Sequence, residues 1–298
     1  SIDYSTFDDC QFICSGSSDK TVRVWDVDNN KQIQLFNGHS SIVYCVKFSP
    51  YHYHNHHQNV ILSSSHDNNI RSWDFKHNKP LKYSMDTHDI YCIRLSSFNC
   101  GRYLCSGSFD TTIRLWDVET SKQLHIFSEH RGCIWSIDIS PLQSNYNNDN
   151  NNIGVIGGNG YTICSGSGDN TIRILDIETF KQSNVFKGHK DHVWSVKYGS
   201  NELLNTILSG SYDKKRILSV EYSPFVIKDY IGNSNVISSL SFDNKIYFWY
   251  IRFIKKELYA IKEYKISCLK FIKLKKKEND MYLINLCYGS NGPIHICG

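Results

Sequence analysis

The chain has no Cys-x-x-Cys pair, and it has no apolar run near the roughly 18 residues that span a bilayer. It also has no strong excess of charge of one sign. The eleven cysteines are therefore read as separate thiols rather than as a zinc site or a redox pair. The richest apolar stretch, Ile246–Ile254, is interrupted by Arg252, so no membrane span is expected. A formal net charge of +4 does not by itself call for nucleic acid or an anionic surface. The first residues given, SIDYSTFDDC, are acidic and polar, unlike a secretory leader. Taken with the unpaired cysteines, this leads to the expectation of a reducing, intracellular setting, cytoplasm or nucleus. Helical periodicity is missing too. What remains is a chain of 298 residues that is 40% apolar and 13% aromatic, enough for a large all-β core.

What is present is repetition. Segments 13–27 (ICSGSSDKTVRVWDV), 61–75, 104–118, 163–177, 207–220 and 236–251 each read as a strand, a tight turn with Asp and a second, alternating strand. A weaker seventh covers 286–298. Another strand type precedes most of them: SIVYCVKFSP (41–50), DIYCIRLS (89–96), CIWSIDISP (133–141), HVWSVKYG (192–199) and KISCLKFI (265–272). Several of these follow a histidine: His39, His88, His130 or His189. Cysteines recur with the repeat, at Cys14, Cys105 and Cys164 before Ser-Gly-Ser, where a thiol fills a small apolar slot.

The Gly-His, Ser-x-Asp and Trp-Asp elements together resemble the WD40 repeat family over essentially the whole chain. The resemblance implies an all-β, seven-bladed β-propeller in a single domain, residues 1–298. The approximate blades are 1–37, 38–87, 88–129, 130–187, 188–216, 217–264 and 265–298. The turn residues Asp19, Asp67, Asp110, Asp169, Asp213, Asp243 and Asn291 are spaced by 48, 43, 59, 44, 30 and 48 residues. Low-complexity insertions at 143–160 and 51–59 (YHYHNHHQN) account for the long spacings and read as polar loops. The spacing of 30 is too short for four strands. ILSVEYSP (217–224) aligns with IWSIDISP, so it is expected to open the sixth blade. The fifth would then keep two strands and lack its last two. This predicts an irregular or truncated blade around 205–245. The closing blade is expected to be incomplete, because the strand that normally arrives from the opposite terminus is missing; a fragment or a gene model with lost exons would give this pattern.

His, Ser and Asp in one repeat invite comparison with a hydrolase triad. The set returns in repeat after repeat, though, whereas a nucleophile needs one unique base. The family resemblance implies a buried hydrogen-bond network in each blade, drawn from Asp19 and Trp25; His39, Asp67 and Trp73; His88, Asp110 and Trp116; His130 and Asp169; and His189 and Asp213. The Trp slot degrades to Leu175 in the fourth repeat, so the C-terminal half is expected to be the less stable. Arg23, Arg71, Arg114 and Arg173, two positions before the Trp slot, read as strand residues whose heads reach water.

Function is then sought in what varies. The position after the leading aliphatic of each first strand is Tyr44, Tyr91, Trp135 and Trp194. The resemblance places it at the top face beside the central channel, where anchors of a protein interface sit. Shared strand parity with Val46 and Phe48 leaves open that these rings pack between blades. The residue before each turn Asp (Ser18, His66, Phe109, Gly168, Tyr212, Phe242) falls on the same face, so Phe109, Tyr212 and Phe242 would form an apolar rim; packing inward is the alternative. The His run 51–57 has metal-ligating chemistry but no fixed geometry, and no metal or cofactor is assigned. Lys275–Lys277 and nearby lysines make the last blades basic, without the interleaved aromatics that stack on bases. No Arg follows Trp-Asp at the position that marks ubiquitin-ligase substrate receptors of this family. The sequence is thus read as a non-enzymatic scaffold for protein or short-peptide partners. RNA- or chromatin-associated binding is the alternative, and a metal-binding or enzymatic propeller a more distant one. No small-molecule substrate is expected.

Overall fold

The computed structural model describes residues 1–86, 88–140, 161–199, 206–213, 216–229, 232–250, 257–262, 266–275, 282–289 and 294–297. The Asn/Gly insertion at 143–160 and Lys276–Lys277 lie outside the described residues, as does Asn291. Each repeat folds as an antiparallel meander. The first sheet holds β1 (Ile2–Phe7), β2 (Cys10–Gly16), β3 (Thr21–Asp26) and β4 (Lys31–Asn37). The second holds β5 (Val43–Phe48), β6 (Val60–Ser65), β7 (Asn69–Asp74) and β8 (Lys79–Asp86). The third holds β9 (Ile90–Leu95), β10 (Tyr103–Ser108), β11 (Ile113–Asp117) and β12 (Lys122–Phe127). The fourth holds β13 (Ile134–Ile139), β14 (Thr162–Ser167), β15 (Thr171–Asp176) and β16 (Gln182–Lys187).

The pattern then breaks. β17 (Val193–Tyr198) pairs with β18 (Ile207–Ser211), and among the described residues no third strand joins them. Four strands follow in one sheet: β19 (Ile217–Asp229), β20 (Gly232–Ser241), β21 (Lys245–Tyr250) and β22 (Glu257–Lys262). Three more end the chain: β23 (Cys268–Lys275), β24 (Tyr282–Gly289) and β25 (Ile294–Cys297). The segment ILSVEYSP thus pairs with β20 and opens a sheet of its own.

The first strands β1, β5, β9, β13, β17, β19 and β23 touch in that order, and β23 touches β1. The result is a closed all-β propeller. The expectation of seven blades is corrected: among the described residues six sheets have three or more strands, and the remaining sector holds the β17–β18 pair alone. The physical reason is chain length, since residues 212–216 between β18 and β19 are too few for two strands.

The Ser-x-Asp turns show why the repeats form hairpins. The Ser hydroxyl accepts the Asp N–H, at 3.2 Å in Ser17/Asp19, 3.1 Å in Ser65/Asp67 and 3.2 Å in Ser108/Asp110. The carboxylate accepts the N–H two residues on, as Asp110 does from Thr112 at 3.0 Å. The residue between is left-handed: Lys20, Asn68, Thr111 and Asn170 have φ of 72°, 66°, 72° and 66°. Side chains that alternate along the strands meet between neighbouring sheets rather than in one central core. Phe36, Val46 and Trp73 pack between the first two sheets, and Ile113, Ile134 and Leu175 between the third and fourth. Cys14, Cys105 and Cys164 are fully buried, and the described cysteines are free thiols.

Between the innermost strands run hydrogen bonds from backbone to side chain. Ser1 Oγ accepts from Val46 N (2.9 Å), Ser136 Oγ from Val196 N (3.1 Å) and Ser195 Oγ from Val220 N (3.2 Å). Two residues on, Asp3 accepts from Phe48 N (3.0 Å) and Asp138 from Tyr198 N (3.0 Å). Arg94 also pairs with Asp138 (2.8 Å). Asp3 meets Lys47 of the second sheet (3.4 Å) and Lys270 of the last, so one carboxylate joins the two ends of the ring. Burial alone would raise its pKa, but the two ammonium groups pull it well below the carboxylate range.

The His-rich segment, expected as a polar loop, is helical. Pro50 starts helix α1 (Pro50–His56), and its buried Tyr51 and His52 turn toward the sheets. Tyr53 packs on Phe7 at 4.6 Å and Tyr51 packs with Leu104 and Val118, so the segment, inserted between β5 and β6, touches the first and third sheets. His52 bonds Ser49 Oγ through Nδ1 (2.8 Å). Among the described residues no three His, Cys, Asp or Glu side chains gather as a metal site, and no helix is long and apolar enough to cross a membrane.

Burial, with His56 beside it, lowers the His52 pKa to about 4, against the weaker pull of Asp74. The unfolded chain takes up this proton near pH 6.5 and the folded chain only near 4. Stability from this group is therefore full above 6.5 and is lost as pH falls from 6.5 to 4. Thermal melts across that window should show a smaller drop for His52→Asn than for the parent; equal slopes would assign the loss to other groups.

Candidate protein-interaction face

The repeated polar residues come together within the sheets. In the second sheet Trp73 Nε1 donates to Ser63 Oγ (2.8 Å), Ser63 meets His39 Nε2 (2.7 Å) and His39 Nδ1 meets Asp67 (2.8 Å). A neutral imidazole, donating from Nδ1 and accepting at Nε2, satisfies every link. Burial lowers the His39 pKa against the pull of Asp67, which keeps it neutral. Burial would raise Asp67, but the Ser40 N–H and His39 hold it below the usual carboxylate range. Ser63 is completely buried and already bonded on both sides, so it is not placed to attack a substrate.

The other repeats hold parts of this chain. His130 reaches Asp169 and Ser165, and His189 reaches Asp213 and Ser209, at 2.8–2.9 Å. In the fourth sheet Leu175 stands in the Trp slot. Trp25, Trp116 and Trp249 bond Ser15, Ser106 and Ser239 at 3.2, 2.9 and 2.9 Å. His88 departs from the expected network. Its side chain is 73% exposed and lies 3.4 Å from Asp110, because Arg114 occupies the same carboxylate oxygen at 2.6 Å. The repeated arginines do not simply reach for water either: Arg23 and Arg114 fold back onto Asp19 and Asp110 at 2.7 and 2.6 Å.

Tyr44, Tyr91, Trp135 and Trp194 are each the second residue of an innermost strand, and each is the unpaired residue of a β-bulge. The register passes from Val43 to Cys45, from Ile90 to Cys92, from Ile134 to Ser136 and from Val193 to Ser195 without them. A bulge re-aims one side chain and breaks the alternation. The parity with Val46 and Phe48 that suggested packing between blades therefore does not hold at these positions. In the β19 sheet the bulged residue is Leu218.

A second repeated bond sets the turn residues beside this row. The N–H of His66, Phe109, Gly168, Tyr212 and Phe242 donates to the carbonyl of Ile42, Asp89, Cys133, His192 and Arg216, at 2.9–3.1 Å. The rings consequently form one continuous row. Tyr44 meets Tyr91 at 4.9 Å, Tyr91 meets Trp135 at 4.4 Å, and Trp135 stacks on Trp194 at 4.2 Å. Trp194 meets Tyr212 at 5.9 Å, and Tyr212 meets Phe242 at 5.9 Å. Phe109 joins from Tyr91 at 6.3 Å. Phe109 and Phe242 are 54% and 56% exposed. Ser18, of the first turn, is exposed but has no ring to add.

The row carries polar groups as well. The indole N–H groups of Trp135 and Trp194 are buried beneath the row and have no acceptor among the described residues. Exposed Arg216 lies 5.2 Å over the Tyr212 ring and 5.9 Å over Phe242. His66 pairs with Asp89 at 2.7 Å beside Tyr44, and His192 lies 6.3 Å from Trp135. Burial, with Tyr44 beside it, pushes the Tyr91 hydroxyl up to about 12, so it stays a neutral donor at physiological pH. Arg216 and His192 escaped the reading of the sequence. Their signal is positional: both stand two residues before the bulged residue of a first strand.

The family model for the WD domain, G-beta repeat, matches residues 3–26, 30–74, 79–117, 121–176 and 180–215, more than half of the chain. The chain belongs to the WD40 family. Mitochondrial division protein 1 of Eremothecium gossypii is 27% identical over 201 residues, 63% of this chain and 27% of that protein. A CCR4-associated factor 4 homolog of Vanderwaltozyma polyspora is 28% identical over 206 residues, 62% of this chain and 30% of its own length. Protein tipD of Dictyostelium discoideum is 29% identical over 183 residues, 59% of this chain and 25% of its own. The chain thus spans less than a third of these relatives. Among solved structures, the computationally designed Ika8 protein aligns over 100% of this chain and 82% of its own, with a TM-score of 0.64 and 18% identity. The WD40 β-propeller domain of Doa1 aligns over 68% and 58%, with a TM-score of 0.53 and 24% identity. These two support the fold alone. WD40 propellers generally act as protein-interaction scaffolds.

Ser63→Ala strands two buried partners, Trp73 Nε1 and His39 Nε2, each costing about 1–3 kcal/mol. Ser15→Ala strands only the half-buried Trp25. Urea unfolding should rank Ser63→Ala as clearly the more destabilised; equal losses would mean that the four-residue chain adds nothing beyond the Trp–Ser bond.

Proposed function

We propose that residues 1–298 form one seven-sector WD40 domain that acts, without catalysis, as a scaffold for protein or short-peptide partners. Its docking face is the row Tyr44, Tyr91, Trp135, Trp194, Tyr212 and Phe242, with Phe109 at its rim. The observation that carries this reading is the continuity of the row. Rings from five consecutive sectors meet edge to face or stacked on a single face, with half-buried bodies and exposed ends. Such rings supply contact area at low entropic cost and are enriched in interface anchors. Exposed Arg216, lying over the Tyr212 and Phe242 rings, would receive an acidic group of a bound segment. The recurrence of His, Ser and Asp in separate sheets, with the Ser already hydrogen-bonded, supports a non-catalytic role. Free, buried thiols support an intracellular setting.

The test is capture of partners by the parent and by a Trp194→Ala, Tyr91→Ala double variant, compared by mass spectrometry. Loss of specific partners from the double variant, with its melting transition kept, supports the face. Identical partner lists would remove it from the reading.

A further inference from the structure

The two-stranded sector leaves a slot whose normal occupant is visible elsewhere in the same molecule. In the second sheet the third strand carries Trp73, which pairs with Ile61. Its indole stacks on Phe36 of the preceding sheet at 5.1 Å and 26°. It also lies against Gly38, so that a Cβ there would come within 2.8 Å of Trp73 Cη2. Phe36 is 5% exposed as a result.

The same Phe-x-Gly-His run recurs as Phe186, Gly188 and His189, facing β18. Here nothing lies within 4 Å of a Cβ at Gly188, and Phe186 is 44% exposed. A cavity of about 710 Å³ opens over Ile172, Phe186, Gly188 and His189, with exposed Lys187 and Lys190 at its rim. β18 offers its outer edge, unpaired among the described residues. Ser209 Oγ bonds His189 as Ser63 bonds His39, but among the described residues no Trp N–H reaches it.

We propose that this sector binds an extended segment of a partner protein that adds as a third, antiparallel strand to β18. It inserts a tryptophan between Phe186 and Gly188, with the indole N–H donating to Ser209 Oγ. Strand addition to a free edge supplies backbone hydrogen bonds, and the slot supplies side-chain selection. The lysines at the rim favour a segment of net negative charge. The site is separate from the aromatic row, and neither reading depends on the other.

A labelled peptide of the chain's own third-strand sequence, TTIRLWDVE (residues 111–119), provides the probe. Fluorescence anisotropy with the full chain should show saturable binding. A peptide with Trp116→Ala should bind at least about tenfold more weakly. Gly188→Val fills open space in the free protein, so its melting temperature should be unchanged while the peptide affinity drops at least about tenfold. The Trp194→Ala, Tyr91→Ala variant should bind the peptide like the parent. Absence of binding, or binding indifferent to Gly188→Val or to the tryptophan, overturns the proposal. A dimer in light scattering that Gly188→Val dissolves would place a second copy of this chain in the slot and likewise overturn it.

Discussion

The ring rests on hydrogen bonds that pass from one innermost strand to the next. Each sheet by itself is a small meander whose faces are covered only when a neighbouring sheet packs on either side, as the second and the last do on the first. Ser136, Asp138 and Ser195 accept backbone N–H groups of the following sector and fix its height and tilt. Asp3 does this for the second sheet and meets Lys270 of the last, so that the first and final sectors share one carboxylate. Apolar layers between sheets then add burial in proportion to a geometry already set.

Because that geometry is set at the inner strands, the outer strands are free to vary. The β17–β18 pair keeps its place through β17 contacts with β13 and β19, although it lacks any further strand among the described residues. What the missing strands take with them is the cover over their neighbour. Phe186 and Gly188 match the Phe36 and Gly38 that hold Trp73, and they lie open beside a strand edge unpaired among the described residues. A defect in one repeat thus becomes a recess against the preceding one.

The aromatic row is a consequence of the same regularity. A bulge at the second residue of an inner strand turns one side chain out of the sheet alternation, and a backbone bond from each turn brings a second residue alongside. Repetition of these two devices lines up rings that are far apart in sequence. The polar chain from Trp73 to Asp67 works at right angles to this: it locks a single sheet and leaves the face available for contact.

Local chemistry made much of this readable in the residues alone. Ser-x-Asp turns specify hairpins, recurrent cysteines specify small buried slots, and a spacing of 30 residues leaves no length for four strands. Those features act over a few positions, so the sequence determined the propeller class and the short sector. Tertiary structure decided what depends on neighbours. Whether Tyr44 and Trp194 point inward or along the face turns on a bulge that strand parity does not reveal. The exposure of His88 turns on Arg114 taking the Asp110 oxygen first. The helical turn at Pro50–His56 forms because Tyr51 and His52 find apolar cover against the sheets, which a run of polar letters does not announce. The open place beside Phe186 exists because β18 carries no further strand among the described residues, a relation between separate repeats that no local pattern carries.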